Sequence, residues 1–312
     1  MRALVIGADG FAGRWLLRHL VESGDEVAAA VGPGYGDQPL PANLEPLRLD
    51  VRDSEGVGRV VTSSRPDVIY YLAGVSRAGA RDDLDLAIGI AVHGALNTLI
   101  AAAGLNGPTR LLHVGSSHVY AIPRGEAPID ERAPTGPASV YGAAKAAAES
   151  ALLHLGPMAD VEVIAVRAFN HIGPGQQGGF VVPSLARQVV EIERGHQEPI
   201  VRAGNLDARR DFTDVRDVVR AYRLAALQGA PGQAYNIASG RAISVREILD
   251  ALLRLRSVRA DVDRDPELSR AGESTTAMVG DAGKLTALTG WRAEIPIEQS
   301  LADVLDSLVG PS

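Results

Sequence analysis

The chain has 312 residues, 46% of them hydrophobic, which is enough apolar material for one large core or two unequal ones. It has no cysteine, which excludes disulfides and thiolate metal sites; no metal site is expected, and the absence is compatible with the cytoplasm, the expected location. A net charge of −7 argues against general nucleic-acid binding, and no uninterrupted apolar run reaches the roughly 18 residues of a membrane span, so neither nucleic acid nor membrane is an expected partner.

The chain opens with a short apolar run at residues 3–6 that leads straight into glycines, with no small-residue cleavage site behind a long apolar stretch. It reads as a first strand. A helix follows at 11–22, then strands at 26–31, 47–49, 68–72, 111–114 and 161–166. Helical patterns fall between them, notably at 83–103 and at the alanine-rich 140–155. Alternating β and α units predict an α/β fold with a doubly wound parallel sheet, and place a ligand at the carboxyl ends of the strands. After Phe169 the rhythm changes. Gly and Pro cluster at 173–179, with helices expected at 181–194, 215–228 and 244–255 and strands near 199–202 and 234–237; Ser244 is placed to cap the last helix. The expected organisation is a dinucleotide-binding part (1–168 and 208–240), an interleaved smaller lobe (169–207 and 241–296) and a C-terminal helix (297–312).

Gly7, Gly10, Phe11 and Gly13 lie in a strand-turn-helix context. Glycine permits the tight turn and the close approach of backbone to a ligand, and the helix N-terminus offers free N–H donors to a pyrophosphate. Asp50 and Val51, after the third strand, are placed to meet an adenine ring, or else Asp50 opens a helix. Ala73 and Gly74 would let backbone approach a cofactor ribose, or simply form a turn. The second strand ends Ala-Val-Gly-Pro-Gly, with neither the acid that grips a 2′-hydroxyl nor the arginine that accepts a 2′-phosphate. Arg14 could assist a 2′-phosphate or be a solvated helix residue, so the expected cofactor is NADPH or NADH.

Lys145 and Lys284 are the only lysines, and Lys145 stands four residues after Tyr141, on one helix face. A phenol needs help to exchange protons near neutrality, and an ammonium one turn away would favour its ionised form. Ser116, after the fifth strand, could hydrogen-bond the reacting oxygen.

Together these residues resemble the extended short-chain dehydrogenase/reductase family, over residues 1 to about 309, in which the GxxGxxG spacing is familiar. The segments Arg167-x-Phe-Asn-His-x-Gly-Pro-Gly-Gln176, Gly179-Phe-Val181, Gly204-Asn-Leu-x-Ala-x-Arg-Asp-Phe-Thr-Asp-Val-Arg-Asp217 and Gly290-Trp291 are most similar to the subgroup that reduces GDP-4-keto-6-deoxy-D-mannose to GDP-D-rhamnose. GDP-mannose 4,6-dehydratases look similar over many of the same segments. The resemblance implies Ser116, Tyr141 and Lys145 as the catalytic set. It implies a GDP-linked sugar as substrate, contacted by Ser117, His118, Asn170 and the phosphate-binding Arg210, with Phe180 and Val181 lining the nucleotide pocket. Arg187 is a further phosphate candidate, or a solvated helix arginine. Arg270 and Glu273 resemble a late Arg-Pro-x-Glu element, although Ala271 replaces its proline. The acidic run Asp211, Asp214 and Asp217 reads as a helix start with surface ion pairs. Two positions depart from relatives: His118 stands where 4,6-dehydratases place a glutamate and similar reductases often carry an acid too, and Ala91 where many relatives have an asparagine. A homodimer through the helices at 83–103 and 140–155 is the family expectation.

Overall fold

The computed structural model describes residues 1–36, 38–75, 83–105, 107–122, 125, 127–176, 179–265, 268 and 277–309. Seven parallel strands form the main sheet. They are β1 (Arg2–Ile6), β2 (Glu26–Val31), β3 (Pro46–Arg48), β4 (Val68–Tyr71), β5 (Arg110–Val114), β6 (Glu162–Ala168) and β10 (Ala234–Ile237), in the order β10-β6-β5-β4-β1-β2-β3. The order reverses between β1 and β4, which opens a crevice at their carboxyl ends. All four residues of β4 are buried, as they must be in a parallel sheet covered on both faces.

One face packs on α1 (Phe11–Glu22) and α6 (Val215–Gln228). Leu16, Leu17 and Leu20 are fully enclosed there with Tyr222 and the sheet, and each such leucine contributes about 1.5–3 kcal/mol through burial. The other face packs on α2 (Ser54–Ser64), α3 (Leu84–Ala103) and α4 (Val140–Leu155). A second core joins α5 (Val181–Glu193), α7 (Val245–Leu255) and α9 (Ile297–Val309) to β8 (Ile200–Ala203). Beside it lies a three-stranded sheet, ordered β11 (Ala242–Ser244), β9 (Arg209–Asp214), β7 (Asn170–Ile172). β12 (Asp261–Arg264) pairs with β8, and α8 (Gly283–Thr289) packs on the main-sheet side.

Ser244 caps α7 in a full capping box, accepting from Glu247 N–H while the Glu247 carboxylate accepts from Ser244 N–H. Several elements had no sequence signal. α2 is capped by Asp53, and its glycines and serines blur the helical period. β7, β9, β11 and β12 are short and polar, held by their partners rather than by alternation. α3 also corrects an expectation. Over 20 residues its hydropathy is 1.8, long and apolar enough by composition to cross a membrane, although Asp85, His93 and Asn97 interrupt the apolar run. Its buried side, including Ala95, Leu99 and Ala102, belongs to the core beneath the sheet.

Candidate active site

The glycine loop closes the crevice floor between β1 and α1. Gly7 has φ +88°, and a Cβ there would lie 2.7 Å from the Ala73 nitrogen at the end of β4. A Cβ on Gly13 would collide with the Gly7 carbonyl oxygen and lie 3.0 Å from Ala8 Cα. Gly10 caps α1 in an extended conformation without a side-chain hydrogen bond, so the first-turn N–H groups point into the crevice mouth where an anion would sit. The backbone here packs too closely for a Cβ at Gly7 or Gly13, and the helix N-terminus it leaves open fits a dinucleotide pyrophosphate. Phe11 begins α1, and its ring stacks on His171 with centroids 5.8 Å apart, tying the loop to the segment after β6.

A carboxylate from outside the strand reaches the end of β2. Asp9, from the glycine loop, accepts a hydrogen bond from Gly32 N–H at 3.4 Å. Arg14 turns to the Pro39 carbonyl, 2.6 Å away. Asp53, not Asp50, caps α2; Asp50 is gripped by Arg52 through Nε and Nη2, which holds its carboxyl below the ordinary range. Val51 is buried against Gly94, where a Cβ would stand 2.5 Å from its Cγ2, and its carbonyl accepts from Asn97 Nδ2 at 2.9 Å.

The reaction centre forms where α4 meets the turn after β5. Ser139 caps α4 through Gly142 N–H, and Gly142, lacking a Cβ, sits directly on the His118 carbonyl. That contact brings Tyr141 close to Ser116, whose hydroxyl favours the ionised phenol. The Ser116 hydroxyl also accepts from His118 N–H at 3.3 Å. The His118 ring stands edge-on to the Tyr141 ring, 5.8 Å between centroids. Lys145, only 4% exposed, donates from Nζ to the Val114 carbonyl at 2.9 Å, and a Cβ at Gly74 would lie 3.3 Å from that nitrogen. Ala91 lines the small cavity shared by Gly74, Tyr141 and Lys145. It lies in a π-helical step at Gly89–Gly94 of α3, where the Tyr71 hydroxyl donates to the Ile90 carbonyl at 2.5 Å. Lys284, the other lysine, lies on α8 and donates to Gln233 and the Ala234 carbonyl.

Burial dominates the electrostatics. It pushes the Tyr141 phenol above its ordinary value, and the Ser116 hydroxyl offsets only part of this. The phenol therefore keeps its proton at neutral pH. Burial also pulls Lys145 down to about 8. A protonated phenol backed by a hydroxyl can donate to an oxygen that is gaining electrons.

Ser117 is buried beside Ser116, and His118 is half-buried. Asn170 and Arg210 share the small sheet: Asn170 Nδ2 donates to the Asp211 carbonyl at 3.2 Å, and Arg210 Nη1 donates to the Arg209 carbonyl at 2.7 Å. Phe180 and Val181 are exposed apolar residues at the start of α5, and Arg187 is exposed two turns along it. Arg270 and Glu273 lie outside the described residues. The acidic run is not a surface feature. Asp211 is fully buried and accepts from Ser239 N–H and Oγ, Gly240 N–H and Gly280 N–H. Asp214 caps α6 and binds Arg216 and Ser300, while Asp217 holds the Glu294 and Ile295 N–H groups. Charged side chains seldom bury without partners, and the loops that supply these partners are remote in sequence.

A glycine-floored crevice at a strand crossover, opening onto a tyrosine, a serine and a buried lysine, defines a nicotinamide-dependent oxidoreductase built on a Rossmann-type sheet. The chain belongs to the GDP-mannose 4,6-dehydratase family, whose pattern matches residues 4–304. It is 34% identical over 308 residues to the GDP-6-deoxy-D-mannose reductase of Pseudomonas aeruginosa, covering 97% of this chain and 96% of that one. The structure of RMD from Pseudomonas aeruginosa complexed with NADPH superposes with a TM-score of 0.86 at 30% identity, covering 99% of each chain. The UDP-glucose 4-epimerase of Thermus thermophilus, in complex with NAD, superposes equally well at 0.86, with 27% identity and 100% coverage of both. The protein is thus an NAD(P)-dependent enzyme related to nucleotide-sugar reductases, dehydratases and epimerases.

Proposed function

We propose that the protein reduces the C4 keto group of GDP-4-keto-6-deoxy-D-mannose to GDP-D-rhamnose, with NADPH or NADH as reductant. One observation carries this reading: Tyr141 is held protonated against Ser116, and no carboxylate occurs in the turn from Ser116 to Tyr120. Ketone reduction needs one proton donor, which Tyr141 supplies. Dehydration needs a further acid/base for the C5 proton and the leaving hydroxyl, and His118 stands where that carboxylate belongs in 4,6-dehydratases.

The bound nicotinamide supplies the hydride that C4 receives. Tyr141 gives its proton to the carbonyl oxygen as the C–O double bond becomes single, and Ser116 hydrogen-bonds the same oxygen. Lys145 holds its charge beneath them, anchored on the Val114 carbonyl. Gly7, Gly10 and Gly13 would hold the pyrophosphate of the cofactor, with Ala73 and Gly74 against its ribose and Asp50 near its adenine. Arg210 suits the substrate diphosphate because its planar fork matches phosphate oxygens, with Asn170, Ser117 and His118 around the sugar. Phe180 and Val181 offer apolar surface to the nucleotide, with Arg187, Arg270 and Glu273 as outer contacts. Support also comes from the 34% identity to a reductase of that name.

The test is consumption of NADPH and of NADH by the purified protein when given GDP-4-keto-6-deoxy-D-mannose made in situ. Rapid oxidation supports the reading; a folded protein that oxidises neither refutes it for this substrate. The second reading is a GDP-mannose 4,6-dehydratase, favoured by the His118 ring lying edge-on to Tyr141, since histidine moves protons at neutral pH. It is separated by incubation with GDP-mannose and assay for the 4-keto sugar. We further propose a cytoplasmic homodimer through α3 and α4, whose faces carry the exposed Leu84, Ile100, Val140 and Leu155. Light scattering on the eluting protein gives its mass directly.

A further inference from the structure

Arg167 is a buried cation that the proton chemistry does not use. It lies near the end of β6, 8% exposed, and its guanidinium reaches three other parts of the chain at once. Nε donates to both Glu149 carboxylate oxygens at 3.0 and 3.1 Å, and Nη2 donates to Glu149 Oε1 at 2.6 Å. Nη1 donates to the Tyr120 hydroxyl at 2.9 Å and to the Glu131 carbonyl at 3.3 Å. The Tyr120 hydroxyl in turn donates to Asn236 Oδ1 at 2.7 Å, and Asn236 Nδ2 donates to the Ile129 carbonyl at 2.8 Å.

Two of the partners, Glu149 and Tyr120, belong to the two elements that form the reaction centre. Glu149 follows Tyr141 and Lys145 at four-residue intervals on α4, so all three share one helix face. Tyr120 ends the turn that begins at Ser116. Glu149 also lies under that turn, because a Cβ on Gly115 would stand 3.3 Å from its Oε2. The contact between Ser116 and Tyr141 lies between α4 and this turn, which no backbone hydrogen bond joins among the described residues. It is spanned from beneath by a single planar group with fixed donor directions.

We propose that Arg167, with Glu149 and Tyr120, is a positioning unit: it sets the register between α4 and the turn after β5, and so the alignment of Ser116 with Tyr141. The proposal rests on Tyr141 and Ser116 performing the proton transfer assigned above. Tyr120→Phe removes the bridge to the turn and keeps the ring, while Glu149→Gln keeps the shape of the side chain and removes its charge. Misplacement by about 1 Å costs up to about 100-fold in rate, so each variant should lose about 10- to 100-fold in kcat. KM for the nucleotide sugar and the dissociation constant of the cofactor should stay within about twofold, because the lost interaction serves alignment rather than binding. Crystal structures of wild type and Tyr120→Phe should show a longer Ser116–Tyr141 separation in the variant.

Full kcat in both folded variants overturns the proposal, as does a rate loss matched by an equal loss of cofactor binding. A lowered melting temperature with undiminished kcat in the folded fraction also overturns it. If the wild type itself does not oxidise reduced nicotinamide with the keto sugar, the functional reading fails. The positioning claim is then decided by the two crystal structures: a lengthened Ser116–Tyr141 separation upholds it, and an unchanged one overturns it.

Discussion

Replacing Lys145 with methionine should separate function from stability in a pH-dependent way. The lysine is 4% exposed and is pulled by burial from an ordinary value of 10.5 to about 8. Between these two values the unfolded chain holds a proton that the folded chain has released. Wild-type stability therefore rises with pH through that window, and the penalty for burying the ammonium is fully present only below it. A shift of this size corresponds to about 3 kcal/mol at pH 7, of which about 2 kcal/mol has been relieved by pH 9.5. Lys145→Met has nothing to titrate there, although it leaves the Val114 carbonyl without its donor. That carbonyl term is the same at both pH values and cancels in the comparison. Urea unfolding of both cofactor-free proteins at pH 7 and pH 9.5 measures the result. The stability of the variant relative to wild type should fall by about 2 kcal/mol on going to the higher pH. A difference that does not change with pH would refute the claim that Lys145 is charged and desolvated in the folded protein.

Three further outcomes follow from the same geometry. Tyr141→Phe keeps the ring against His118 and removes the proton donor, so turnover should fall about 10²- to 10⁴-fold while cofactor binding, measured by calorimetry, is unchanged. Gly13→Ala drives a methyl into the Gly7 carbonyl, and the protein should lose nicotinamide-cofactor binding in the same calorimetric titration; undiminished affinity would show that the cradle is not the pyrophosphate site. Asp211→Asn turns an amide donor toward N–H groups that now meet a carboxylate, and should cost about 1–3 kcal/mol in denaturant unfolding.

Much of the architecture could be read along the chain, because the main-sheet strands and long helices carry their own hydrophobic period. Residues 26–31 and 140–155 were bounded as the structure bounds them, and Ser244 caps its helix as its spacing to Glu247 suggests. The small sheet was not readable. Arg-Arg-Asp-Phe-Thr-Asp, part of an acidic run that reads as a helix start with surface ion pairs, becomes β9 only because β7 and β11 satisfy its backbone on either side. Asp211 shows the same limit at the level of one side chain. Its burial depends on donors at 239, 240 and 280, which no local pattern connects to it.

The sequence by itself determined the residues that need a particular chemistry: glycines where no Cβ fits, a tyrosine and a lysine one helical turn apart, and no cysteine anywhere. These are properties of residue type and short spacing. Tertiary structure alone decided that Asp9 reaches the end of β2, that burial raises the Tyr141 phenol, and that Arg167 joins α4 to the turn holding Ser116. Each of these depends on desolvation or on contacts between remote segments, and both exist only once the chain has packed.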